Sequence, residues 1–199
     1  LLTRYDDVAS ALRDERFTKD YRKVRRPEVQ LLGLFGPLNR HMLSTDQPDH
    51  TRLRTLVTKA FTPRAIENLR PRVLEIVNEL LDAAQADGGT DLMASFAYPL
   101  PVLVICEMLG VPAKDRDIFK NWSGDLARIL DPILMPGAAE HGHAVIGAMA
   151  EYFRDLIAQL RKQPQDNLLD AMIAAEESGE CLSEEELLAN CILLFGAGH

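Results

Sequence analysis

Apolar residues along this chain recur at intervals of three and four rather than two, and the breaks between runs fall on Pro, Gly and Asp. That period belongs to amphipathic helices, so little strand is expected beyond a strand end at Leu1-Leu2-Thr3. A short helix is predicted from Tyr5 to Arg13, with Val8, Ala9 and Leu12 turned inward. A long connection without a clear period follows, through Pro27, Gly33, Gly36 and Pro37. Connections of that length are uncommon in compact proteins and often belong to a binding site, with disorder as the other reading. Asp46, Pro48 and Asp49 then signal a helix reaching about Phe61, because Pro tolerates a first turn and carboxylates suit its exposed amides. Thr62-Pro63 repeats the signal for a helix to about Ala86, stopped by Gly88-Gly89.

The run from Leu92 to Leu109 is apolar nearly all round, which predicts a helix buried on several sides, interrupted early by Pro99 and Pro101. Gly110 and Pro112 end it. Helices are predicted over residues 113–130 and 138–162, separated by a hinge at Pro132 to Gly137, and over residues 167–177, closed by Ser178-Gly179-Glu180. The last helix opens with Ser183 and Glu186 at capping-box spacing. It meets no stop, since Leu187, Leu188, Cys191, Ile192, Leu194 and Phe195 carry the pattern on until His199. The fold class is therefore mainly α, with no internal repeat.

Length, charge and cysteines narrow the picture. A chain of 199 residues is one domain or a piece of one. The net charge of -8, with basic residues dispersed apart from Arg22, Lys23, Arg25 and Arg26, argues against nucleic acid as a partner. Cys106, Cys181 and Cys191 lie far apart with no CxxC pair, which suits a reducing cytoplasm. No apolar stretch is long enough to span a bilayer and nothing resembles a signal peptide, so a soluble, cytoplasmic protein is expected. The first residue is Leu1 rather than Met, and an upstream part is expected to be missing.

His50 and Arg54 lie four residues apart on a predicted helix, with Arg52 displaced around it, so an imidazole and a guanidinium share a face. Arg offers a planar fork for a carboxylate and His a second donor, which makes the carboxylates of a ligand a sensible target. The competing reading, which spacing alone favours, is a surface ion-pair face using Asp49 or Glu67. Gly196-Ala197-Gly198 is the second feature: a helical Gly costs about 1 kcal/mol against Ala, so two want a reason. A flat object close to the backbone and close helix packing explain them equally well. His141 and His143 lack a third metal ligand and read as solvent-facing, while Cys106, Cys191, Phe119, Trp122 and Phe153 read as core.

The segment from Met42 to Arg54, Met-Leu-Ser-Thr-Asp-Gln-Pro-Asp-His-Thr-Arg-Leu-Arg, with Val57 and Phe61-Thr62-Pro63, resembles the stretch around the third lettered helix of bacterial cytochromes P450. Gln47 stands where that family usually has a first proline. Other matching pieces fall in the family's order: Thr3 to Val8, Asp14 to Phe17, Phe96 to Pro101, Ile105 to Pro112, and Leu182 to Leu187 leading into Leu193 to His199. The resemblance covers essentially the whole chain.

That resemblance implies a haem-thiolate monooxygenase, with this chain a single partial domain, residues 1–199, holding helices B to I and truncated at both ends. His50 and Arg54 match the pair that binds the propionates of heme b, iron protoporphyrin IX. Ala197 and Gly198 match the small residues of the oxygen-binding groove, and Leu193 and Gly196 would face the substrate. The loop from Leu31 to Leu43 and the hinge from Leu130 to Gly137 would form the pocket's lid. Implied partners are dioxygen, a small or medium apolar substrate, and a ferredoxin or similar electron donor, with neither nucleic acid nor membrane. The family's acid-and-alcohol pair, its Glu-x-x-Arg pair and its axial cysteine loop would all follow His199, so no cysteine here is assigned to the iron and the chain alone is expected to be inactive. The alternative is a non-catalytic, truncated helical interaction protein.

Overall fold

Helices are the only regular elements among the residues that the computed structural model describes, which are 2–24, 39–86, 91–130, 138–177 and 182–198. Eight α-helices follow in order: α1 Tyr5–Arg13, α2 Asp49–Ala60, α3 Pro63–Ala86, α4 Pro99–Met108, α5 Arg116–Leu130, α6 Ala138–Leu160, α7 Leu168–Glu177 and α8 Glu184–Ala197. Short 3-10 turns at Tyr21–Lys23, Met42–Ser44 and Ala113–Asp115 join them. The strand end expected at Leu1 to Thr3 is not seen at Leu2 and Thr3, and Leu1 lies outside the described residues.

The capping signals hold at both ends of the chain's most apolar helices. Ser183 Oγ accepts from Glu186 N–H while Glu186 Oε2 accepts from Ser183 N–H at 2.9 Å, so both arms of the predicted capping box are made. Gly110 ends α4 at φ +70, where Val111 N–H reaches Cys106 O at 2.9 Å and Gly110 N–H reaches Glu107 O at 3.1 Å. This paired closure needs a left-handed residue, and a Cβ there would also collide with the Asn167 carboxamide.

Two expectations hold only in part. The apolar residues 92–109 form a helix buried on several sides, interrupted early as expected, only from Pro99 onward. A π-helical turn, Met93–Ala97, precedes α4, and Leu92 and Met93 are 63% and 66% exposed. Pro99 cannot donate its backbone nitrogen, so α4 starts afresh at that residue, and from there it is buried or half-buried throughout, most deeply at Pro99, Val102, Ile105, Cys106 and Leu109. The face of α1 also departs from expectation: Leu12 is 78% exposed and Val8 is exposed as well, so the described residues do not cover this face.

The core sits where α8 runs through the bundle, in contact with α4, α6 and α7. Leu187, Leu188, Cys191, Ile192 and Phe195 are buried along nearly its whole circumference, which explains the absence of a polar face in its sequence. Phe119 of α5 fills the centre, edge-on to the rings of Trp122, Tyr152, Phe153 and Phe195 at 5.0 to 5.7 Å. Such quadrupole-matched contacts favour one arrangement of α5, α6 and α8 over looser alternatives. On the outside, Glu107 joins three helices by accepting from Arg72 of α3 at 3.2 Å and from Arg116 of α5. Helix α2 packs on α7 and on the 42–44 turn.

Candidate functional site

Helix α2 begins at Asp49, three residues after a carboxylate that organises its approach. Asp46 accepts from Thr18 Oγ1 at 2.6 Å, from Lys19 N–H at 2.9 Å and from Lys23 Nζ at 2.9 Å. These three donors hold its carboxyl far below the usual range and fold residues 18–23 over the start of α2. Lys19 and Lys23 are thereby brought to a helix that carries its own cations.

His50 and Arg54 share a face of α2, one turn apart. His50 is half-buried and its pKa lies below the ordinary value of 6.5, through burial first and then the nearby charges of Lys19 and Arg54. Arg54 is exposed and makes no hydrogen bond or ion pair among the described residues. The acids that an ion-pair face would use are engaged elsewhere. Asp49 Oδ1 accepts from Arg52 Nη2 at 3.2 Å, and Glu67 pairs with Arg70 at 3.0 Å. The charges of Arg54 and Lys19 thus both act on the His50 imidazole, and neither Asp49 nor Glu67 is paired with Arg54.

Gln47 takes part in this corner. Its Oε1 accepts from Thr51 Oγ1 at 2.6 Å, and its Nε2 lies 3.5 Å from His50 Nδ1. With Nδ1 as the acceptor, the imidazole carries its proton on Nε2, free to donate outward.

Four residues proposed from sequence lie at the C-terminal end of α8. Leu193 is buried at 8% exposure and Gly196 is half-buried, with a Cβ there falling 3.6 Å from Leu126 Cδ1 of α5. Ala197 and Gly198 are exposed. Close packing does account for one glycine, since a Cβ on Gly198 would approach Ile105 Cγ1 to 3.0 Å. Residues 31–38 of the suggested lid loop and 131–137 of the hinge lie outside the described residues, as do Cys181 and His199. Burial pushes the Cys106 thiol up to about 12 and the Cys191 thiol higher still, so both are protonated thiols packed in the core. Among the described residues no cluster of three or more His, Cys, Asp or Glu could hold a metal ion. None of their helices is long and apolar enough to cross a membrane.

Sequence reasoning missed what joins the two ends of the site. Arg52 grips Glu186 with Nη2 to Oε1 at 2.6 Å and Nη1 to Oε2 at 3.1 Å. Fully buried Asn190 accepts from Met42 N–H at 3.2 Å and donates to Glu186 O at 2.7 Å. The capping-box spacing marked Glu186, but nothing in the linear pattern names a partner 134 residues away.

The family model for cytochrome P450 matches residues 1–199. Cytochrome P450 107B1 of Saccharopolyspora erythraea is 44% identical over 207 aligned residues, covering 100% of this chain and 49% of that protein. Vitamin D(3) 25-hydroxylase of Pseudonocardia autotrophica is 43% identical, covering 100% of this chain and 48% of its own length. Among solved structures, the bacillaene polyketide synthase cytochrome P450 PksS of Bacillus subtilis superposes with a TM-score of 0.83 at 40% identity, over 99% of this chain and 48% of that one. The chain thus spans about half the length of the relatives it matches.

Proposed function

Because the chain belongs to the cytochrome P450 family, we propose that the whole protein is a haem-dependent monooxygenase, and that this stretch supplies the propionate clamp and part of the distal wall. The observation that carries the reading is Arg54, a guanidinium without an acid partner among the described residues, one turn from a His50 whose basicity its charge helps to depress. Two cations beside an imidazole call for an anion, and the two carboxylates of heme b, iron protoporphyrin IX, meet that need.

In this reading Arg54 presents its fork to one propionate. His50, neutral near pH 7 because its pKa lies below 6.5, donates a ring N–H to a carboxylate without itself needing a counter-charge. Gln47 keeps the ring turned so that the donating nitrogen is not spent on the protein. Ala197 and Gly198 add no side chain beyond a methyl at the end of α8, so they leave room for dioxygen, while Leu193 and Gly196 border the substrate. When bound, haem would supply the activation of dioxygen: one oxygen atom enters a small or medium apolar substrate and the other leaves as water, with two electrons from a ferredoxin or similar donor and two protons from solvent. In this reading the buried cysteines at 106 and 191 are core residues, and neither is assigned to the iron. Neither nucleic acid nor membrane is a partner in this reading, and the acidic, cysteine-poor chain suits the cytoplasm.

The test is spectroscopic. The full-length protein, reduced and treated with carbon monoxide, is expected to show its Soret band at the position typical of thiolate ligation; a band at the imidazole-type position, or none, returns the protein to a non-catalytic helical interaction role. Replacing both His50 and Arg54 by Ala is expected to reduce haem retention markedly. Retention equal to the parent protein's sends the pair back to a solvent-facing surface.

A further inference from the structure

We propose that Arg52 and Glu186 are a positioning pair: their bidentate contact sets the rotation of α2 against the start of α8, and so aims His50 and Arg54 at the carboxylates they hold. The inference rests on the propionate reading above and concerns residues that touch no cofactor in it.

The geometry begins at the Glu186 carboxylate. Oε2 already accepts from Ser183 N–H as one arm of the α8 capping box, which fixes the side-chain rotamer before any long-range contact forms. The fork of Arg52 then meets both oxygens, at 2.6 and 3.1 Å. The Glu186 side chain is 13% exposed and that of Arg52 30%, so this contact is shielded far better than an ordinary surface pair. Burial alone would raise the Glu186 pKa, yet the hydrogen bonds from Arg52 and Ser183 N–H outweigh it and hold the group below its ordinary value. Asp49 adds a contact to Arg52 from within the first turn of α2, so the guanidinium is fixed from its own helix and from α8.

Helical geometry turns this contact into a lever. Residues advance about 100° around an α-helix, so Arg52 stands roughly 200° from His50 and the same from Arg54. The grip on α8 is therefore on the side of α2 opposite the clamp. Leu53, Leu56 and Val57 seat α2 in the core against α7 and the 42–44 turn, and the Arg52–Glu186 contact adds a tie from this helix to α8. Without that tie, a small rotation of α2 about its packed side would carry His50 and Arg54 off their target together. Asn190, one turn after Glu186, anchors the 42–44 turn through Met42 N–H and keeps the approach to α2 on the same footing.

The experiment is a double-mutant cycle on the haem-loaded full-length protein with Arg52→Gln, Glu186→Gln and both together. Glutamine at 186 can still accept from Ser183 N–H, so the capping box survives and α8 should fold in every variant. Haem release into excess haem-free globin is expected to accelerate about tenfold in each single variant, the scale of one lost charge-assisted contact. The double variant should be no worse than either single one, because both changes break the same contact. Amide hydrogen exchange at residues 50–57, measured with haem removed, is expected to speed up in all three variants. Unchanged haem release in Arg52→Gln overturns the proposal, and so do effects that simply add in the double variant. The His50→Ala, Arg54→Ala protein separates the two readings. If it keeps its haem, the propionate reading fails and takes the positioning role with it; if it loses haem while Arg52→Gln does not, only the positioning role falls.

Discussion

Gly198 lies so close to Ile105 that a Cβ on it would approach Ile105 Cγ1 to 3.0 Å and Cβ to 3.1 Å, whereas a Cβ on Gly196 would meet Leu126 Cδ1 at an ordinary 3.6 Å. Two glycines that look alike in the sequence thus differ, one pressed against the neighbouring helix α4 and one under no steric demand from the described residues.

Substitution by alanine separates them. Gly196→Ala is expected to be neutral or to stabilise by up to about 1 kcal/mol, because the helix gains propensity and no neighbour must move. Gly198→Ala is expected to destabilise by about 1 kcal/mol, since the side chain of Ile105 has to shift. Urea denaturation midpoints decide it; a Gly198→Ala protein as stable as its parent would show that α4 yields freely.

The electrostatics of α2 can be read through His50. Its pKa is held below 6.5 by burial first, and then by Lys19 and Arg54. Removing a cation favours the protonated imidazole, so Arg54→Gln is expected to move the His50 pKa up toward 6.5, with burial and Lys19 still keeping it lower. NMR titration of the His50 ring in haem-free protein measures this. A titration curve identical to the parent's would mean that Arg54 stands too far away to act on the ring.

His41 gives the structure a pH dependence of its own. It is buried at 5% exposure, accepts from Leu43 N–H through Nδ1, and burial lowers its pKa from 6.5 to about 4. The unfolded chain takes up this proton more readily than the folded one. The contribution of this group to stability is therefore full above pH 6.5, falls as the pH drops from 6.5 towards 4, and levels off below that, for a loss of about 3 kcal/mol. In His41→Asn, which keeps a side-chain acceptor for the turn, this segment of the pH-stability curve is expected to flatten. An unaltered slope would assign the acid sensitivity to other groups.

Phe119 is the hub of the aromatic cluster and fully buried. Phe119→Ala is expected to cost about 4 kcal/mol, through lost transfer energy and a cavity that Trp122, Tyr152, Phe153 and Phe195 cannot all close together. The loss should appear in chemical denaturation with an unchanged m-value. A cost below about 2 kcal/mol would mean that the ring cluster collapses into the gap.

Much of this molecule was legible along the chain because it depends on near neighbours. The starts of α2 and α8, the Gly110 stop and the shared face of His50 and Arg54 all follow from spacings of three or four residues, and local hydrogen bonds enforce them. The family too is written in such short runs, which is why the resemblance could be drawn from the sequence and the comparisons then agreed. The exposure of Leu12 and Val8 on α1 could not be read in the same way, since a helical period shows which face is apolar and not whether anything lies against it. The partners of the charged residues were equally hidden. Asp49 and Glu67 stood near enough in sequence to neutralise Arg54, yet Arg52 and Arg70 take them. Arg52 finds Glu186 across 134 residues, and Asn190 finds Met42 across 148. Those choices arise only when helices pack, because a charge selects its partner by distance and shielding in three dimensions, and chain order constrains neither.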